Sequence, residues 1–393
     1  MVGVTGTNGK TTTTWLVHSI LKKSGRKSGL LGTVEYCDGE HREPAPLTTP
    51  DSKSFSRWLC RMRDRGVVSA AVELSSHALH QCRVAGAELR VAVVTNLTQD
   101  HFDYHGDFAS YRNSKLRIFE QLQAGGVAIL NADDPQVVSM AAEIGDRHPV
   151  VTYGLDSQAD CTAAIVHESL SGSQIELNLM GERIAVQTSL VGRHNVSNCL
   201  AAAAAARAVG LSPDEIAIGL GALDTVPGRL ERIDAGQPFS VFVDYAHTDD
   251  ALRRCIRCLK RMADGRVICV FGAGGDRDRT KRPLLGKAAS EADVAIVTSD
   301  NPRTESPGQI IDDILSGIST SVLKIVEEDR ARAIHRAIDM ARSDDCVLIA
   351  GKGHERFQIL GTKRVSFDDR EIAKTALRNL KQPVGISSDR ISA

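Results

Sequence analysis

The N-terminal stretch restricts the fold of this chain more than any other segment. Gly3-Val4-Thr5 reads as a short strand, Gly6-Thr7-Asn8-Gly9-Lys10-Thr11-Thr12 follows it, and an apolar helix runs from about Trp15 to Leu21. Glycines let the backbone N–H groups of such a turn face inward, and the helix N-terminus adds its own positive end, so the stretch predicts a phosphate cradle. Lys10 is placed to reach the outer phosphates of a nucleoside triphosphate, and the Thr11 hydroxyl to ligate Mg²⁺. The pattern is a variant built on Gly6 and Gly9, since the usual first glycine of a P-loop is Val4 here. An ordinary Gly-rich turn between strand and helix is the other reading of this spacing.

The rest of the chain agrees with a strand–loop–helix start. Ser69–Leu74, Val91–Thr95, Val127–Asn131 and Val150–Tyr153 read as strands with helical segments between several of them. That alternation predicts a parallel α/β sheet of P-loop type covered by helices. From Cys161 to Leu190 the pattern changes to alternating apolar and polar residues, which predicts a small antiparallel region at one edge. An Ala-rich helix is expected from about Val196 to Val209. The Pro-Gly break in Val226-Pro227-Gly228-Arg229-Leu230-Glu231 marks a domain boundary, giving domains at 1–230 and 231–393. The second is a Rossmann-like α/β domain, with strands at Val241–Asp244, Val267–Phe271, Val294–Thr298 and Val347–Ala350. In open α/β sheets ligands bind beyond the carboxyl ends of strands. The stretches in question are Asp244-Tyr245-Ala246-His247, Gly272 to Asp278, Ser299-Asp300-Asn301-Pro302-Arg303 and Gly351-Lys352-Gly353-His354-Glu355.

Several residues at those ends carry chemistry. Glu73 closes a strand beside the phosphate loop and can complete a Mg²⁺ shell, or it can cap a helix. Asp100 and His101 lie past another strand end. Lys115 falls on the apolar stripe Phe108, Tyr111, Ile118, Phe119 and Leu122 of a helix expected from Phe108 to Leu122, where it either snorkels or is held inward. In the second domain Arg277, Arg282 and Arg303 share a predicted sheet edge with Asp276, Asp300 and Glu355. Arginine forks suit carboxylates and phosphates, while Glu355 is suited to an ammonium group, a combination that fits an amino acid or a solvated charged rim.

Composition narrows the class. A formal net charge of −1 gives no electrostatic footprint for nucleic acid. No apolar run reaches membrane-spanning length and the start is no signal peptide, so the expectation is a cytoplasmic protein without membrane insertion, taken as a monomer. Nine scattered cysteines suit reduced, buried thiols. Cys255 and Cys258 fall on the apolar face of a helical pattern and read as packing residues rather than metal ligands.

Gly6 to Thr12, Glu73-Leu74-Ser75-Ser76-His77, Thr95-Asn96-Leu97, Asp100-His101, Asn131-Ala132-Asp133-Asp134, Gly192-Arg193-His194-Asn195, Pro227-Gly228-Arg229 and Asp244-Tyr245-Ala246-His247 together resemble the Mur ligases, ATP-dependent amide-forming enzymes of peptidoglycan precursor synthesis. The resemblance runs to about Leu377 and is strongest to the branch that adds meso-diaminopimelate to UDP-MurNAc-L-Ala-D-Glu. It implies ATP and Mg²⁺ as cofactors, and an acyl phosphate formed from the D-glutamate γ-carboxylate and attacked by the incoming amine. It assigns Gly6, Thr7, Asn8, Gly9, Lys10, Thr11 and Thr12 to ATP phosphates, with Lys10, Glu73, His101 and Lys115 as the catalytic set. Thr11, Glu73, His101 and a carbamylated Lys115 would hold metal. Asn195, Asn198, Arg229 and Asp244 would contact the nucleotide, and Thr48, Thr49, Ser75 and Arg83 the nucleotide-sugar peptide. Arg277, Asp300, Asn301, Arg303, Gly351 and Glu355 would bind the amino acid, with Arg303 clamping the second carboxylate that diaminopimelate has and L-lysine lacks. The family's additional N-terminal domain, which binds the uridine diphosphate end, is expected to be absent from the chain. Two other readings stay open: a related ligase of the folylpolyglutamate or poly-amino-acid kind, and a catalytically silent nucleotide-binding partner.

Overall fold

In the first unit the sheet grows outward from β1 (Val2–Thr5), whose four residues are all buried. The computed structural model describes residues 1–381, and the chain divides into two units between Val226 and Pro227. The first unit adds β2 (Ser28–Leu31), β3 (Glu35–Cys37), β4 (Arg42–Pro44), β5 (Ser69–Glu73), β6 (Leu89–Val94), β7 (Leu122–Asn131), β8 (Val150–Gly154), β9 (Cys161–Ser169), β10 (Gly172–Leu179) and β11 (Glu182–Thr188). They form one sheet in the order β11-β10-β9-β8-β7-β6-β1-β5-β2-β3-β4. β1 runs parallel to both neighbours, with Val4 opposite Glu73 and Thr5 opposite Val94. That register brings the loop after β1, the end of β5 and the end of β6 to one sheet edge, where a parallel α/β sheet places its ligands. The stretch 161–190 forms the expected antiparallel region, β9 with β10 and β10 with β11.

Three helices fix the phosphate-loop end of this sheet. Lys10–Lys23 starts directly after Gly9, packing its buried residues Leu16, Val17, Ile20 and Leu21 into the core. Arg193–Ala208 covers it with Ala201 to Ala206, all fully buried, and alanines let helix axes approach closely because nothing longer than a methyl intervenes. Pro213–Gly221 begins with a capping box of Ser212 and Glu215 and a proline in its first turn. Its Gly219 lies so near the first helix that a Cβ there would meet Ile20 Cα at 2.3 Å, and Ser19 Oγ donates to the Gly219 carbonyl.

The second unit contains β12 (Glu231–Arg232), β13 (Ser240–Asp244), β14 (Val267–Phe271), β15 (Val294–Val297), β16 (Leu323–Val326) and β17 (Cys346–Ala350) in the order β12-β13-β17-β14-β15-β16. All pairs are parallel except β12 with β13. Because β17 is inserted between β13 and β14, the loop after it emerges beside the loops that follow both. A hairpin of β18 (Phe357–Leu360) and β19 (Lys363–Ser366) completes the unit. Cys255 and Cys258 are buried on the helix Asp249–Lys260, as packing residues.

Two expectations change. The helix expected from Phe108 to Leu122 stops at Leu116, a 3₁₀ turn Phe119–Gln121 follows, and Leu122 opens β7. The apolar stripe continued through the change of conformation because Ile118, Phe119 and Leu122 pack into the same core as the helix. Arg282 is not part of a charged rim: it is 1% exposed and ion-paired to Glu305 and Asp313.

One acid-sensitive group of the first unit is on its first helix. His18 sits buried on the first helix with Nδ1 against Ser28 Oγ at 3.0 Å and no partner on Nε2. Burial lowers its pKa to about 4, helped by Arg42 and Lys22. The unfolded chain therefore gains a proton near pH 6.5 that the folded chain refuses until about pH 4, so stability falls as pH drops through that window. We predict that His18→Gln loses roughly 2 kcal/mol less stability than the parent between pH 7 and pH 4.5. Denaturant melts at the two pH values measure this, and parallel losses in both proteins would refute it.

Candidate active site

The loop after β1 is held from one side by the segment that follows β6. Thr7 N donates to Asn96 O at 2.9 Å, Asn8 N to Asn96 Oδ1 at 2.8 Å, and Asn96 Nδ2 back to Asn8 O at 3.1 Å. Thr95 Oγ1 donates to Asn8 O at 2.6 Å, and its oxygen stands 1.9 Å from where a Cβ on Gly6 would project. Gly9 carries the left-handed φ of 82° at which glycine has no steric penalty, and a Cβ there would meet Asn198 Oδ1 at 2.4 Å. Both glycines are thus required by close approach as well as by conformation. Asn198 also accepts from Thr13 Oγ1 and donates to Asn195 Oδ1, while Asn195 donates to Val191 O. The asparagine pair, buried at the start of its helix, buttresses the loop.

On one flank of the loop lies an oxygen-rich group. Glu73 is fully buried, accepting from Thr33 N (2.9 Å) at Oε1 and from Thr33 Oγ1 (2.8 Å) and Thr11 Oγ1 (3.2 Å) at Oε2. Thr33 Oγ1 is 3.1 Å from Thr48 Oγ1. Thr49 Oγ1 donates to Glu73 O at 2.7 Å and accepts from Ser75 N at 3.0 Å, and Arg83 Nη1 donates to Thr49 O at 3.1 Å. Thr11, Thr48, Thr49, Glu73, Ser75 and Arg83 therefore converge. A buried carboxylate among hydroxyls is a hard-oxygen donor set of the kind Mg²⁺ takes, with phosphate and water supplying the remaining ligands. Among the described residues no cluster of three or more His, Cys, Asp or Glu side chains could hold a metal on its own.

On the other flank are Lys10, Lys115 and His101. Lys10 Nζ donates to Gly6 O and Thr7 O at 3.0 and 2.9 Å, and Lys115 Nζ to the same Gly6 O at 2.7 Å. Lys115 is 1% exposed and faces inward, 4.6 Å from the centroid of the Tyr111 ring. Burial, followed by the neighbouring Lys10 ammonium, lowers its pKa well below the usual lysine range against the pull of Asp100. A lysine so placed favours its neutral, nucleophilic amine. His101 starts the short helix Phe102–His105 in a left-handed conformation, its ring 5.0 Å from His77 and 6.4 Å from Tyr111. The four expected metal ligands thus form two groups, Thr11 with Glu73 and Lys115 with His101.

In the second unit the loops after β15 and β17 meet. Asp300, Asn301 and Lys352 are buried, and Lys352 Nζ reaches Asp300 Oδ1, Asn301 Oδ1 and Glu355 Oε2. Glu355, expected to receive an external ammonium, already holds this internal one on Oε2. Gly351, at φ 114°, lies against Asp300 Oδ2, which a Cβ would meet at 2.8 Å. Arg303 Nη1 donates to Gly275 O at 2.6 Å, and its backbone, at φ 53°, is tied to the β18–β19 hairpin through Ile359 O and Gly361 N. Arg277 is exposed. Arg229 stacks 4.7 Å above the Tyr245 ring, and Asp244 accepts from Leu230 N and Ala246 N, holding the turn around Arg229.

Thr33 and Lys352 escaped the sequence reading. Thr33 lies in Gly32-Thr33-Val34, between two short strands and outside any motif, so only the fold reveals it. Lys352 stands in the glycine-rich stretch Gly351-Lys352-Gly353 after β17, and a lysine one residue beyond an apolar strand is the available signal.

The chain matches the model of the Mur ligase middle domain over residues 4–206 and that of the Mur ligase, glutamate ligase domain over residues 228–353. It is 47% identical, over 96% of its length and 78% of the relative, to the UDP-N-acetylmuramoyl-L-alanyl-D-glutamate–2,6-diaminopimelate ligase of Geobacillus kaustophilus. Identity to the same-named ligase of Solibacter usitatus is 44%, over 96% of this chain and 77% of that one. A solved structure of a ligase with that name superposes with a TM-score of 0.70 at 35% identity, covering 97% of this chain and 79% of that chain. The MurF ligase of Thermotoga maritima, solved in complex with ADP, shares the fold with a TM-score of 0.70 at 18% identity, covering 96% of this chain and 80% of that chain.

Thr33 supplies two of the donors that stabilise the buried Glu73 carboxylate. Thr33→Val is expected to cost about 1–2 kcal/mol of stability because it leaves that carboxylate short of a donor, while Thr33→Ser keeps the hydroxyl and stays near the parent. Thermal melts of the three proteins decide the matter, and equal behaviour of Val and Ser would contradict it.

Proposed function

Because the chain belongs to the Mur ligase family, we propose that it joins meso-diaminopimelate to the D-glutamate γ-carboxylate of UDP-MurNAc-L-Ala-D-Glu, converting ATP to ADP and phosphate. The observation that carries this reading is the match, along nearly the whole chain, to curated ligases of that activity. The γ-carboxylate oxygen attacks the γ-phosphorus of ATP, ADP leaves, and an acyl phosphate forms. The amine of diaminopimelate then attacks the acyl carbon. Phosphate departs with the bonding electrons, and the nitrogen loses a proton to leave an amide.

The residues suit these steps. The loop Gly6, Thr7, Asn8, Gly9, Lys10, Thr11 and Thr12 binds the phosphates, with Lys10 swinging from the Gly6 and Thr7 carbonyls to the β- and γ-phosphates. Thr11 and Glu73, oriented by Thr33, would hold Mg²⁺, which when bound offsets charge on the transferring phosphoryl group. His101 and Lys115 would serve a second such ion. The low proton affinity of the Lys115 amine favours its addition to CO₂, giving a carbamate and releasing one proton, and the carbamate supplies the anionic oxygen that a bare amine lacks. Thr48, Thr49, Ser75 and Arg83 bind the acceptor. Asn195 and Asn198 serve the nucleotide by supporting the loop, Arg229 by contact, and Asp244 by fixing the turn that carries Arg229. Arg277, Asp300, Asn301, Arg303, Gly351 and Glu355 bind the amino acid. Among the described residues no helix is long and apolar enough to cross a membrane. The reading carries with it a cytoplasmic reaction and a chain that acts as a monomer.

The reading is tested by phosphate release from ATP with the dipeptide precursor and either meso-diaminopimelate or L-lysine. Diaminopimelate is expected to be strongly preferred, and Arg303→Ala to raise its KM by about 10–100-fold, the cost of losing a bidentate carboxylate clamp. Equal use of L-lysine by the parent would remove the assignment of Arg303. Lys115→Ala should lose most activity and regain part of it with a short-chain carboxylate, and full activity without addition would exclude the carbamate.

A further inference from the structure

The second unit contains a lysine that no step above uses. Lys352 is 0% exposed, and each of its three N–H bonds has a directed acceptor: Asn301 Oδ1 at 3.0 Å, Glu355 Oε2 at 3.1 Å and Asp300 Oδ1 at 3.4 Å. Burying an ammonium is costly unless it is fully paired, so a position like this is retained for what the pairing holds in place. The same Glu355 Oε2 also accepts from Asn301 Nδ2 at 3.1 Å, and Asn301 Oδ1 accepts a second bond from Ile359 N at 2.9 Å. Gln358 Nε2 fixes the Asp300 carbonyl at 2.6 Å. Asp300 and Glu355 come from loops after different strands, and Lys352 is ion-paired to both carboxylates.

Glu355 is the member of this knot that keeps contact with solvent, at 21% side-chain exposure, against 9% for Asp300 and none for Lys352. Its Oε2 is doubly engaged, by Asn301 Nδ2 and Lys352 Nζ, which restrains the rotation of the carboxylate. Arg330 also interacts electrostatically with both carboxylates, but its guanidinium is paired to Asp369, which leaves Lys352 as their ion-pair partner among the described residues. We infer that Lys352 is a positioning residue for the amino-acid substrate, which aims the Glu355 carboxylate at the substrate's ammonium group and cancels the excess negative charge that two neighbouring carboxylates would otherwise present. This inference rests on the proposed reaction, and it adds to that reaction a residue with no direct contact to substrate.

Lys352→Met keeps the length of the side chain and removes its charge and donors. Steady-state phosphate release is measured with diaminopimelate, ATP and the dipeptide precursor varied in turn. The expected result is a rise of about tenfold or more in the KM for diaminopimelate, with the KM values for ATP and dipeptide within about twofold of the parent. A rise in all three together, or a fall in kcat with the diaminopimelate KM unchanged, overturns the inference. Lys352→Arg, which retains the charge, is expected to recover part of the lost affinity. If Lys352→Met does not fold, the comparison moves to Glu355→Gln with and without Lys352→Arg, where two residues acting as one unit are non-additive. A further change of no more than about twofold supports the inference, and a further tenfold rise overturns it. The parent protein separates the two levels. Diaminopimelate-dependent release by the parent with an unaltered KM in Lys352→Met rejects Lys352 alone, whereas no release by the parent rejects the reaction and this inference with it.

Discussion

The first unit depends on the pairing of β1 with β5 on one side and β6 on the other. Its four residues are buried, so both backbone edges must be satisfied by neighbouring strands, and the parallel register that does so has direct chemical consequences. Val4 opposite Glu73 puts a carboxylate one step from the phosphate loop. Thr5 opposite Val94 lets Thr95 and Asn96 hold that loop by its own backbone groups. A slip of one residue in the pairing of β1 with β5 would turn Glu73 to the other face of the sheet. The loop's glycines and the neighbouring helices are accommodations to this arrangement, down to the Cβ clashes at Gly6 and Gly9.

Charge is managed differently in the two units. In the first, Lys10 and Lys115 donate to one carbonyl, that of Gly6, and like charges so close favour loss of a proton from the more buried of them. In the second, buried cations are matched by carboxylates. Arg330 and Asp369 pair with no exposure on either side chain, and Arg282 bridges Glu305 and Asp313. Breaking such a pair by removing one partner costs several kcal/mol, so these arginines serve the scaffold. Lys115 is the exception to this matching.

What could be read from the sequence follows from how local each signal is. The Gly-Lys-Thr start, the alternation of strands and helices and the antiparallel stretch 161–190 depend on neighbours along the chain, and the fold has them. Lys115 was visible as a lysine on an apolar stripe, but only packing decides that it points inward. Thr33 could not be found, because its importance comes from Glu73, which is forty positions away in the chain and brought near by β2 pairing with β5. Arg282 was misplaced for a related reason: a cation predicted at a strand end gives no sign of the two acids that enclose it. Edge strand β16 is short and mostly exposed, and Lys324 interrupts its apolar residues, so its signal is weak.

The tether at Arg303 bears on how specificity can drift over evolutionary time. The β18–β19 hairpin holds the backbone of this residue through Ile359 and Gly361, so its course depends little on the side chain it carries. Its left-handed φ of 53° penalises β-branched replacements and tolerates small polar ones. Under the role proposed for Arg303, a single codon change there alters which amino acid is accepted while the backbone keeps its course.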